Sequence, residues 1–161
     1  MEHIWSPWRY QYITSADREP GCVFCRMIAA DDDAKNYIVH RAKLNFVVLN
    51  LFPYTSGHLM IVPYQHTASL SSIEDAGTNE MMSLAKRSES ALGDEYHPDG
   101  FNIGLNLGRS AGAGVADHVH LHVVPRWTGD ANFVSVVGET RVLPEDLPTT
   151  YSKLKKHFDH A

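Results

Sequence analysis

His118-Val119-His120-Leu121-His122-Val123-Val124, closed by Pro125, is the stretch on which the reading of this chain turns. Successive side chains of a strand point to opposite faces. An extended segment here puts His118, His120 and His122 on one face and Val119, Leu121 and Val123 on the other. The apolar face belongs in a core. Three imidazoles cover a sheet poorly, because each ring carries a nitrogen that needs a partner. Histidine serves as metal ligand, general acid or base, or nucleophile, and three on one strand can divide these roles. A solvated face with coincidental histidines is the plainer alternative, and the cleanly apolar opposite face argues against it.

The next strand upstream is 101–107. There Phe101, Ile103, Leu105 and Leu107 alternate with Asn102, Gly104 and Asn106, one core face against one polar face. A glycine-rich turn over 108–114 joins it to the histidine strand. Further back, Ser71 and Glu74 have capping-box spacing, and Met81, Ala85, Ser88 and Leu92 share one helical face. Gly93 and Pro98 bracket the exit, so the pattern predicts one long helix over 74–95. Short apolar runs at 37–39, 46–49 and 59–62 read as strands, with Pro53, Ser56 and Gly57 turning the chain between the last two. Strands, helix and strands with short links predict an α+β fold: a mainly antiparallel sheet of about five strands, one long helix and a short C-terminal helix. Residues 1–161 read as a single domain. Its first 20 residues form an arm carrying Trp5, Trp8, Tyr10 and Tyr12, and 131–161 form a C-terminal extension.

Composition narrows the function classes. Lys+Arg number 14 against 19 Asp+Glu, a net charge of −5, so the chain has no general electrostatic pull on nucleic acid or an anionic membrane. No apolar run approaches the roughly 18 residues of a membrane span, and the N-terminus lacks the pattern of a secretory signal. The expected compartment is the cytoplasm. The two cysteines, Cys22 and Cys25, are spaced C-x-x-C. In a reducing compartment that spacing points to metal or redox chemistry before a structural disulfide. Two cysteines with two histidines make a closed zinc site; the alternatives are a redox pair, although no βαβ unit is in view, and two merely buried thiols. His58 and His66 stand at the two ends of the 59–62 strand and can reach the histidine row if the strands are neighbours. Asn106 offers an amide donor, and the turn Gly112-Ala113-Gly114 can bring backbone N–H groups to a phosphate. Arg109 and Ser110 are weaker candidates.

Gly57-His58-Leu59-Met60-Ile61-Val62-Pro63 followed by the alternating histidine strand resembles the histidine triad (HIT) superfamily. The 101–108 stretch, Pro125-Arg126-Trp127-Thr128-Gly129-Asp130 and the opening Ile4-Trp5-Ser6-Pro7-Trp8-Arg9 resemble its bacterial branch similar to diadenosine tetraphosphate phosphorylases. The resemblance implies a nucleotidyl transferase in which His120 is the nucleophile, His122 contacts the phosphate and helps the leaving group, and His58 supports the row. It implies that Asn50 holds the ribose and that Val23, Phe24, Met27 and Leu51 form the base pocket, for which plain core is the alternative. It also implies structural zinc on Cys22, Cys25, His66 and His118, and a homodimer. Many members carry a glutamine after the glycine of the turn; Ala113 and Gly114 stand here, with one extra residue before His118, which weakens the case for simple hydrolysis. The expected activity is cleavage of a dinucleoside polyphosphate with phosphate as acceptor. A hydrolase of such compounds or of nucleotide phosphoramidates, and a zinc-stabilised nucleotide-binding module, are the alternatives.

Overall fold

The computed structural model describes residues 21–131 and 143–159. The expected aromatic arm, with Trp5, Trp8, Tyr10 and Tyr12, lies outside the described residues, as does the first part of the C-terminal extension. The order of elements is α1 (Val23–Ala29), β1 (Ile38–Arg41), β2 (Asn45–Leu49), β3 (Leu59–Pro63), α2 (Asp75–Tyr96), β4 (Gly100–Leu105), β5 (Leu121–Arg126) and α3 (Leu147–Asp159). The strands form one sheet in the order β1-β2-β3-β5-β4, and every pairing is antiparallel. The α+β expectation, with five strands, a long middle helix and a short closing one, is met.

Both faces of the central strands are covered. On one face Val47, Leu49, Leu59, Ile61, Leu121 and Val123 pack under α2 and α3 through Leu84, Leu92 and Leu154. On the other, Ile38, Phe46, Val48, Met60 and Val62 pack with Phe24 and Met27 of α1. Burying one such side chain is worth about 1.5–3 kcal/mol, so β1 to β3 are fixed from both sides. The histidine row sits on the α1 face. Among the described residues no helix is long and apolar enough to cross a membrane.

Three sequence expectations need correction. The histidine strand begins at Leu121, later than 118, and runs through Pro125 to Arg126. Proline is tolerated because β3 pairing stops at Leu59↔Val123, leaving Pro125 opposite Phe101 of β4 alone. The capping box does not form: Ser71 lies in a 3₁₀ turn, its hydroxyl paired with Ser69 at 2.8 Å, and Glu74 is the N-cap without a side-chain bond. The helix itself, expected over 74–95, runs from Asp75 to Tyr96 and stops at His97 in the left-handed conformation, φ 46°, between Gly93 and Pro98. Finally, Ile103 shares the face expected to be core yet is 42% exposed. The long helix packs mainly on β3, β5 and β2, and β4 is the edge strand, from which Phe101 and Leu105 but not Ile103 pack against the core; Leu107, past the strand end, is exposed too.

Candidate active site

The histidines are ordered by backbone carbonyls and by one another. His118 is fully buried just before β5. Its Nε2 lies 2.9 Å from the Pro63 carbonyl. A carbonyl only accepts, so Nε2 carries the proton and Nδ1 keeps a lone pair. That Nδ1 faces Cys22 Sγ at 3.3 Å, Cys25 Sγ at 3.7 Å and His66 Nδ1 at 3.3 Å. Cys25 Sγ is also 3.3 Å from His66 Nδ1. The ligand atoms of the four residues all lie within 4.8 Å of one another. Two sulfurs and two nitrogens at that spacing suit a tetrahedral cation. Cys22 is the N-cap of α1 and Cys25 lies in its first turn, so one short helix presents both thiols. Burial, then the bond and charge of Cys22, push the Cys25 thiol up. A bound cation would reverse that by favouring the thiolate.

His120 uses the same logic with the opposite nitrogen. Its Nδ1 lies 2.8 Å from the His118 carbonyl, so Nδ1 carries the proton and Nε2 keeps the lone pair. Burial pushes its pKa down against that hydrogen bond, leaving the ring neutral at neutral pH. His118 is lowered for the same first reason, with His66 and His120 nearby adding to it. Phe24 holds both rings, its centroid 5.4 Å from His118 and 5.1 Å from His120.

His58 and His122 complete the row. The Tyr54 N–H donates to His58 Nδ1 at 3.1 Å, so neutral His58 carries its proton on Nε2. That nitrogen is 2.9 Å from His122 Nδ1, which accepts, and neutral His122 therefore carries its proton on Nε2. His120 and His122 stand 4.8 Å apart at their centroids. Tyr54 lies over His58 and His122, at 4.7 and 6.1 Å. Gly57, at φ +80°, lets the loop turn into His58; an added Cβ would meet Leu92 at 2.8 Å.

The remaining expected residues divide. Asn50 is tied into the row: its Oδ1 accepts the Phe52 N–H at 3.0 Å and its Nδ2 is 3.3 Å from His58 Nδ1. Asn50 and Leu51 line a cavity of about 380 Å³ whose far wall is Leu143, Pro144 and Leu147. Phe24 and Met27 are buried, with Val23 packed against them, so this trio stands together under the sheet, whereas Leu51 is exposed. Asn106 follows the last pairing of β4, Leu105↔Leu121, which sets it at the level of His120. In the glycine turn, the Gly112 and Ala113 N–H groups bond to the Arg109 and Gly108 carbonyls at 3.0 and 3.3 Å. Those two amides are engaged within the turn; Gly114 makes no such backbone bond among the described residues. Sequence reasoning missed Tyr54 and the Pro63 carbonyl. A backbone group leaves no side-chain signal, although a tyrosine four residues before the supporting histidine was a visible hint.

Sheet and site together define a histidine triad protein: alternating imidazoles at the start of one strand, a supporting histidine entering the next, and a thiol–imidazole cluster at one end. Residues 32–129 match the HIT domain family. A Mycobacterium tuberculosis protein called AP-4-A phosphorylase is 38% identical over 158 residues, covering 93% of this chain and 80% of that one. An adenosine 5′-monophosphoramidase of Schizosaccharomyces pombe is 29% identical over 105 residues, covering 65% of this chain and 74% of that one. A solved Zn-bound histidine triad family protein from Mycobacterium smegmatis has a TM-score of 0.70 at 28% identity, covering 86% and 94%. The chain belongs to the HIT family.

Proposed function

We propose that this protein is a nucleotidyl transferase that cleaves dinucleoside polyphosphates such as diadenosine tetraphosphate through a covalent adenylyl-His120. The observation that carries this reading is the His120 tautomer: a neutral ring, its proton held on Nδ1 by the His118 carbonyl, with a lone pair on Nε2. In the first half-reaction Nε2 attacks the α-phosphorus, an N–P bond forms, the P–O bond to the β-phosphate breaks, and ATP leaves. His122, oriented by His58, contacts the phosphate and stabilises the leaving oxygen. Such transfer depends on positioning and charge stabilisation more than on a strong base. In the second half-reaction an oxygen of inorganic phosphate attacks the same phosphorus, the N–P bond breaks, and ADP leaves His120 free.

Phosphate as acceptor is supported by the likeness to the protein named AP-4-A phosphorylase and by the Gly112-Ala113-Gly114 turn, which lacks a glutamine to hold water. Asn50 is assigned to the ribose, Asn106 and Gly114 to phosphate, and Val23, Phe24, Met27 and Leu51 to the base. The Cys22, Cys25, His66 and His118 cluster would hold zinc, which when bound would tie α1 to the histidine strand. A homodimer is supported by the open β4 edge with its exposed Ile103, because unpaired strand edges invite pairing. A cytoplasmic location completes the reading. Diadenosine tetraphosphate incubated with phosphate at millimolar order should give ADP plus ATP, faster as phosphate is added. AMP plus ATP at a phosphate-independent rate would instead make the protein a hydrolase, the reading favoured by its likeness to the phosphoramidase.

A further inference from the structure

Across the face that carries the histidines, the strand pairings set up one row: Ile38, Val48, Met60, His122 and Gly104. Directly opposed residues point to the same face. The first three members are buried, at 0%, 0% and 6% exposure, in the cluster with α1. His122 is half-buried and Gly104 is exposed. The row is therefore walled on one side of His122 and open on the other, over β4.

Nothing in the fold calls for glycine at 104. Its φ lies outside the left-handed region, and a Cβ built there meets no atom of the described residues within 4 Å. Glycine inside a strand weakens it, and often marks a place where a ligand or another backbone approaches closely. The flanking residues on that face, Asn102 and Asn106, are polar. Asn102 Oδ1 accepts from Arg126 Nη1 at 2.6 Å, and Asp130 holds the rest of that guanidinium. The open side of His122 is thus a strip with no side chain at its centre and amides along its length.

We propose that Gly104 is a specificity-determining position, kept bare so that the part of an extended substrate beyond the attacked phosphorus lies across β4 beside His122. The inference rests on the nucleotidyl-transfer reading and adds to it the position that selects for leaving groups that are polyphosphate chains. A side chain at 104 stands about 5 Å from that of His122, in the path of such a chain. It leaves room for the α-phosphate and for a leaving group as small as ammonia, which departs from a nucleoside phosphoramidate when the P–N bond breaks and takes up a proton.

The test compares wild type with Gly104→Val and Gly104→Ala on two substrates, diadenosine tetraphosphate and adenosine 5′-phosphoramidate. Valine favours strands over glycine, so the thermal midpoint should stay level or rise. If the valine variant fails to fold, the alanine variant carries the same comparison. For Gly104→Val, kcat/KM on the tetraphosphate should fall about tenfold or more, while that on the phosphoramidate stays within about twofold. Gly104→Ala should fall between. Equal losses on both substrates, or none on either, overturn the role of Gly104. If the wild type forms no adenylyl-enzyme from either substrate, the transfer reading itself fails, and the assignment of Gly104 with it.

Discussion

The His120 ring has two nitrogens, and the His118 carbonyl chooses between them. With the proton held on Nδ1, Nε2 keeps the lone pair that the proposed attack requires, and no side chain acting as base is needed to create it. His118 serves twice, its ring facing the thiols and its carbonyl holding the neighbour's tautomer. The period of two made the shared face of the three histidines legible in the sequence, whereas the division of roles among them came from the family resemblance. It did not make the carbonyl partners legible, because backbone geometry is not written in side-chain order. His120→Asn keeps a polar group of similar reach but removes the nucleophilic nitrogen. It should fold, bind nucleotide as wild type does, and lose about three orders of magnitude or more in kcat. Steady-state kinetics with a nucleotide-binding titration checks this; a kcat close to wild type would refute the role.

At the scale of elements, the join between the sheet and α2 shows where patterning stops being informative. Met81, Ala85, Ser88 and Leu92 were correctly read as the buried face, because a helical period survives any choice of ends. The start was placed within one residue but the capping box was misread, because a serine with a glutamate three residues on is also what a short 3₁₀ turn ahead of a helix looks like. The side chain that fixes the helix is Glu80, a charge that composition alone treats as surface. Its carboxylate accepts from the Lys43 and Leu44 N–H groups at 3.2 and 2.8 Å and from Asn45 Nδ2 at 2.8 Å. Burial works against the charge, but the bonds from Asn45, Leu44 and Lys43 outweigh it and hold the pKa below the ordinary value. A depressed carboxyl stabilises the fold above its unfolded pKa of about 4.3 and loses that contribution as pH falls through the lower folded value. Glu80→Gln should cost about 1–2 kcal/mol at neutral pH. The gap from wild type should narrow below about pH 4. Chemical denaturation at the two pH values measures both, and a gap that widens in acid would contradict the assignment.

For the molecule as a whole, the decisive arrangement is that three distant segments meet. Cys22 and Cys25 come from α1, His66 follows β3, and His118 leads into β5. The spacing of each piece was visible in the sequence; their convergence came from family resemblance, since no local pattern measures distance between segments. Structural metal contributes directly to folding free energy. Protein purified without added metal should therefore hold about one zinc per chain, and Cys22→Ser or a chelator should remove it and lower the thermal midpoint by several degrees. Full zinc retention in Cys22→Ser would exclude this ligand set. The edge of the sheet makes the second claim at this scale. Ile103 was read as core, and its exposure on β4 leaves an apolar face for another copy to cover. Sedimentation should give a dimer, and Ile103→Glu should shift it toward monomer; a monomeric wild type would contradict the pairing.

The central claim is a covalent bond between His120 and the nucleotide, and rapid quenching tests it most directly. Enzyme mixed with adenine-labelled diadenosine tetraphosphate in the absence of phosphate, quenched in alkali where phosphoramidate bonds persist, and mapped by peptide mass analysis should carry one AMP on His120. Added phosphate should discharge the label as ADP. Label on any other residue, or turnover without a bound nucleotide at any time point, would contradict the mechanism.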